Sequence, residues 1–224
     1  ALPPDGILGA DLVIGETTLG SLSILDGASV SNWYATVGAL AGSEGNVQVA
    51  GTSPGGTQST WSNSGDLTIG AQGRATLTIE NGGVVSNSSG IIGQEGTGVG
   101  EVIVAGADSR WINSDRLTIG SDGTGRLRVA DRATVTVADV AIVGAGSPNG
   151  GVSEVIVTGG AKWIVGDQLV VGNYASGSLA IENGATVSSL QGYVGASSSG
   201  VVTVAGVGSS WSSATNIVIG NYGV

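Results

Sequence analysis

The sequence predicts an all-β fold: a right-handed, three-sided parallel β-helix, a solenoid of about nine rungs of ~25 residues in ~50-residue double repeats. Three observations predict it. A tryptophan-marked repeat recurs along the chain, each repeat divides in two, and each half holds only short alternating strands and turn residues. No segment has the 3.6-residue period and length of a helix.

The repeat is set by Trp61, Trp111, Trp163 and Trp211, at intervals of 50, 52 and 48 residues. Six residues after each, an aliphatic residue opens a short strand that ends in glycine, as in Leu67-Thr68-Ile69-Gly70 and Ile217-Val218-Ile219-Gly220. The same aliphatic-glycine ending occurs nine times, at Gly15, Gly38, Gly70, Gly93, Gly120, Gly144, Gly172, Gly195 and Gly220, with intervals between 23 and 32 residues. A second strand with strict alternation follows each interval's start: Leu22-Ser23-Ile24, Leu77-Thr78-Ile79, Val102-Ile103-Val104. Two residues past it stand Asp26, Gly51, Asn81, Gly106, Asp131, Gly159, Asn183 and Gly206. These three residue types tolerate positive φ, so one tight corner is expected eight times. A third apolar position is Val30, Val85, Val135 or Val187 in one half-repeat and tryptophan in the other. Strands this short bury an apolar face only by stacking each rung on the next, ~4.8 Å away. Parallel crossovers are overwhelmingly right-handed, which sets the expected hand. Residues 1–224 read as one solenoid, a rod on the order of 40 Å long, with loop excursions at about 51–60 and 146–152. Val224 falls in mid-repeat, so the chain is expected to be part of a longer protein.

Composition narrows the function classes. Glycine supplies 42 of 224 residues, and His, Cys, Met and Phe supply 0, 0, 0 and 0. Histidine acid–base chemistry, cysteine nucleophiles, disulfides and Cys/His metal sites are thereby excluded. The formal net charge of −10 argues against nucleic acid or an anionic lipid surface as partner. No apolar run approaches the ~20 residues of a membrane helix, and Ala1 does not begin a signal peptide.

The block from Trp61 to Gly70, followed by Leu77-Thr78-Ile79-Glu80-Asn81-Gly82-Gly83-Val84-Val85-Ser86-Asn87, resembles the repeats of autotransporter passenger domains. These are the β-helical stalks of Gram-negative type V secretion proteins, many of them adhesins or self-association factors. The resemblance covers roughly Asp11 to Gly220. It implies a surface-exposed or released location, a C-terminal membrane barrel and an N-terminal signal peptide. It also implies a host cell-surface or matrix component, or a second copy of the chain, as partner. The expected function is an adhesive or self-associating stalk without catalysis.

No catalytic, cofactor-binding or metal-ligating residue is assigned. Tryptophans on every second rung could form a sugar-binding stripe, but alternation with valine in one slot reads as core packing. Trp33 and Tyr34 break the register and are candidates for an exposed patch or for N-terminal capping. Five of the seven basic residues fall between Arg110 and Arg132, and Arg126 and Arg128 take the outward places of Thr76 and Thr78. Stacking puts Arg126 between Glu101 and Glu154, predicting a Glu–Arg–Glu ladder that also offers a binding patch for an anionic glycan or a partner. Gly51-Thr52-Ser53-Pro54-Gly55 matches a nucleophile-elbow pattern but lacks both the helix and the histidine that pattern needs. A polysaccharide-active β-helix is the enzymatic alternative, and a passenger-derived ligand of a host receptor is the third reading. The enzyme needs clustered carboxylates, whereas the aligned Glu80 and Glu182 stand four rungs apart.

Overall fold

The computed structural model describes residues 10–147 and 150–220, and its strands form a right-handed parallel β-helix with three walls. The described residues contain no helix. One rung shows why. Leu67–Ile69 lies on the first wall, Arg74–Glu80 on the second and Val84–Asn87 on the third. Along Arg74–Glu80, Ala75, Leu77 and Ile79 face inward and are fully buried, while Thr76 and Thr78 face out. The period-2 pattern of the sequence is thus the burial pattern of the wall.

Register follows the repeat without slippage on the second wall, whose eight strands run from Leu19–Leu25 to Gly200–Ala205. Val102 pairs with Leu77 on one side and Leu127 on the other, so residues about 25 apart lie over one another. On the third wall Val30, Trp61, Val85, Trp111, Val135, Trp163, Val187 and Trp211 form one inward column. The first wall carries a third column, Leu12, Ala35, Leu67, Gly90, Leu117, Ala141, Leu169, Gly192 and Ile217. These columns merge into one core, closed at every level by three walls.

The corners repeat as regularly as the strands. Asp26, Gly51, Asn81, Gly106, Asp131, Gly159, Asn183 and Gly206 all have positive φ, between 52° and 89°, as the residue types require. Two features depart from the expected plan. Three corners per rung hold until Thr186–Val194 and Ser210–Ile219, which run from the third wall onto the first as single strands. Leu190 and Ala214-Thr215 stand where turn residues such as Gly65-Asp66 and Gly166-Asp167 act in other rungs, so the chain bulges between Ser189 and Gln191 instead of turning. The first loop excursion closes as a small hairpin through an antiparallel bridge between Thr52 and Gln58. Within the second excursion, Pro148 and Asn149 lie outside the described residues, as do Ala1 and Val224.

Candidate functional site

The tryptophans belong to the interior. Trp61, Trp111 and Trp163 are fully buried, and Trp211 is half-buried against the same core. They present no sugar-binding stripe to solvent. Their indole N–H groups expose a feature that sequence reasoning missed. Trp61 Nε1 donates to Asn32 Oδ1 at 2.8 Å and Trp111 Nε1 to Asn87 Oδ1 at 2.7 Å. Asn32 Nδ2 then donates to Asn63 Oδ1 at 2.7 Å, and Asn87 Nδ2 to Asn113 Oδ1 at 2.8 Å. All four asparagines are buried. The signal was present: each stands two residues after an inward Val or Trp, and a strand returns to the same face every second residue. In the third double repeat Val137 and Val165 replace the asparagines, and Trp163 Nε1 is left without a partner.

On the outer face of the second wall, the columns fall as expected. Arg126 pairs in register with Glu101 and Glu154, and Arg128 with Ile103 and Ile156. The ladder is half-formed. Arg126 Nε lies 3.5 Å from Glu154 Oε2, the one ion pair within 4.0 Å among the described residues, and Glu101 makes none. A single guanidinium on a flexible stem follows one carboxylate, and at exposures of 46% and 41% the pair contributes about 0–1 kcal/mol. Arg128 stands between two half-buried isoleucines, which leaves its charge presented outward on an apolar base.

Trp33 and Tyr34 form the corner between Ser29–Asn32 and Ala35–Val37, and both side chains are exposed. Their backbone is tied to the rungs on either side. Trp33 N–H donates to Ala10 O and its carbonyl accepts from Gly65 N–H, while Tyr34 O accepts from Leu12 N–H and Asn32 Nδ2. The Tyr34 ring lies over Gly65, close enough that a Cβ there would stand 2.5 Å from Tyr34 Cε1. This corner and the Arg126–Arg128 face lie on different walls, so the four residues do not converge on one site.

The Gly51–Gly55 segment is a turn. Ser53 N–H donates to Thr57 O at 2.8 Å, and Ser53 Oγ accepts from Thr57 N–H at 3.1 Å. No group of three or more Asp or Glu residues able to hold a metal ion occurs among the described residues. The Asp122 carboxyl is held below the usual aspartate range by hydrogen bonds from Ser147 N–H and Ser147 Oγ. Compared with known proteins, the chain matches no family model, no curated sequence and no solved structure. The coil is a parallel β-solenoid, and the geometry of its surface is the basis for a functional reading.

Proposed function

We propose that the chain is a rigid stalk of a secreted or surface-displayed adhesive protein, of the autotransporter passenger type, that works by contact and without catalysis. The supporting observation is the second wall: eight strands in unbroken register, with an outward polar column through Glu101, Arg126 and Glu154 and, beside it, Arg128 presented between Ile103 and Ile156. Such a wall holds contact groups at a fixed pitch of ~4.8 Å, and its interior stack resists local opening. The partner in this reading is a host cell-surface or matrix component, or a second copy lying alongside.

Two assays test it. Beads coated with the purified chain should aggregate with one another, or should bind cells saturably. The double variant Arg126→Glu/Arg128→Glu should weaken that contact while leaving the circular dichroism spectrum unchanged. Absence of both contacts, or indifference to the double variant, argues against the wall as the adhesive face. Sequencing the full gene tests the secretion class: a C-terminal run of about a dozen ~10-residue alternating strands supports it. A gene without them removes the autotransporter assignment.

A further inference from the structure

The corner between the second and third walls carries one column of residues, each two positions before a paired third-wall residue. In chain order it reads Gly27, Gln58, Gly82, Asp108, Arg132, Gly160, Gly184 and Gly208. Five members are glycine at φ between 72° and 85°. Asp108 and Arg132 hold the same left-handed backbone, each at φ 66°, although they carry side chains. A side chain in that conformation is strained, and glycine serves the turn in five of the six other rungs. The turn alone therefore does not account for Asp108 and Arg132, and strain of this kind marks places where a side chain is needed.

A cleft adjoins Asp108. The Thr52–Gln58 hairpin leans over the corner, and Gln58 Nε2 fastens it by donating to Gly82 O at 2.7 Å and Asp108 O at 3.2 Å. Because Gly82 has no side chain, the ridge is interrupted between Gln58 and Asp108. A Cβ there would fill the gap, standing 3.4 Å from Thr52 Cγ2. The resulting cleft, of about 440 Å³, is lined by Thr52, Gln58, Asn81, Gly82, Asp108 and Arg110. Its lining holds one guanidinium, one carboxylate, two amides and a hydroxyl. Among the described residues, neither the Asp108 carboxylate nor the Arg110 guanidinium has an ion-pair partner within 4.0 Å.

We propose that this cleft binds an acidic sugar unit, a saccharide with one carboxylate and neighbouring hydroxyls. The Arg110 fork matches one carboxylate. The Asp108 carboxylate and the Gln58 carbonyl accept hydrogen bonds from hydroxyls, and the Asn81 amide both accepts and donates. Asp108 also disfavours a dianion such as phosphate, and the chain's net charge of −10 disfavours a dense polyanion. The lining contains no aromatic or large aliphatic side chain, which excludes an apolar ligand. The proposal rests on this corner alone and stands apart from the adhesive reading of the second wall.

The test is NMR titration of the intact chain with glucuronate, glucose and acetate, repeated with Arg110→Gln and Asp108→Gly. Glucuronate should give saturable shifts confined to the cleft, with glucose and acetate each about tenfold weaker or more. Arg110→Gln should weaken glucuronate about tenfold or more, by loss of a charge-assisted pair. Asp108→Gly should also weaken it, yet raise the melting temperature, because glycine relieves the left-handed strain. The melting temperature confirms that both variants fold. Absent saturation, equal binding of acetate, or glucuronate binding unchanged in either variant overturns the proposal.

Discussion

A buried amide survives in an apolar coil only when its donors and acceptors are met inside the protein, and the interior asparagines show how that happens here. Asn87 Oδ1 receives the Trp111 indole N–H, and Asn87 Nδ2 supplies Asn113 Oδ1. Asn87→Ala orphans both partners, so it should cost roughly 2–4 kcal/mol in urea unfolding. A loss under about 1 kcal/mol contradicts the ladder. The Val137→Asn/Val165→Asn pair should be accepted, because it supplies Trp163 with the acceptor that Trp61 and Trp111 already have. At the surface, Asp122 gives a pH-dependent contact. Its folded pKa is lowered by the Ser147 N–H foremost and by the Ser147 hydroxyl second. The contribution is present above the ordinary aspartate pKa and is lost as pH falls through the lowered value. In an NMR titration Ser147→Ala should move the Asp122 midpoint part of the way back up, since the main-chain donor remains. An unmoved midpoint shows that the hydroxyl contributes nothing.

At the scale of strands, the double repeat has a packing cause. The first-wall column places Ala35, Gly90, Ala141 and Gly192 in the same rungs as Trp61, Trp111, Trp163 and Trp211. The Trp111 and Trp211 indoles occupy that space against Gly90 and Gly192: a Cβ on Gly90 would stand 2.8 Å from Trp111 Cζ2 and 2.9 Å from Leu117 Cδ1. Gly90→Leu should therefore destabilise by about 3 kcal/mol in urea unfolding, and Trp111→Val in the same chain should recover part of it. Additive losses in the double variant contradict the pairing of large with small. The repeat itself was legible in the sequence, because glycine endings, Asn/Asp/Gly corners and period-2 strands each recur often enough to fix register. The tryptophan–valine column was legible for the same reason. What was not read is the pairing of tryptophan with Ala or Gly on another wall of the same rung, since it couples positions about 20 residues apart on different faces. The corner cleft was hidden too, because Gln58, Asp108 and Arg110 meet only through the fold of the long loop.

For the whole molecule, these local rules add up to a coil in which each rung rests on its neighbours and position along the axis follows rung number. The sparse charge, 24 ionisable Lys, Arg, Asp and Glu residues in 224, is consistent with a surface built from hydroxyl and amide side chains. A rod of this kind displays its walls and corners at fixed separations, which is what the proposed adhesive contact and the proposed corner site both require. The most direct test of the stacking is a distance measured along one outward column. The chain has no native cysteine, so spin labels can be placed at Ser23→Cys with Arg128→Cys or Thr203→Cys. Four rungs should give a pulsed-EPR separation of ~19 Å and seven rungs ~34 Å, before allowance for the label linkers. Narrow distributions whose separation grows in proportion to rung number support the parallel coil. A Ser23–Thr203 distance equal to or shorter than the Ser23–Arg128 distance contradicts it.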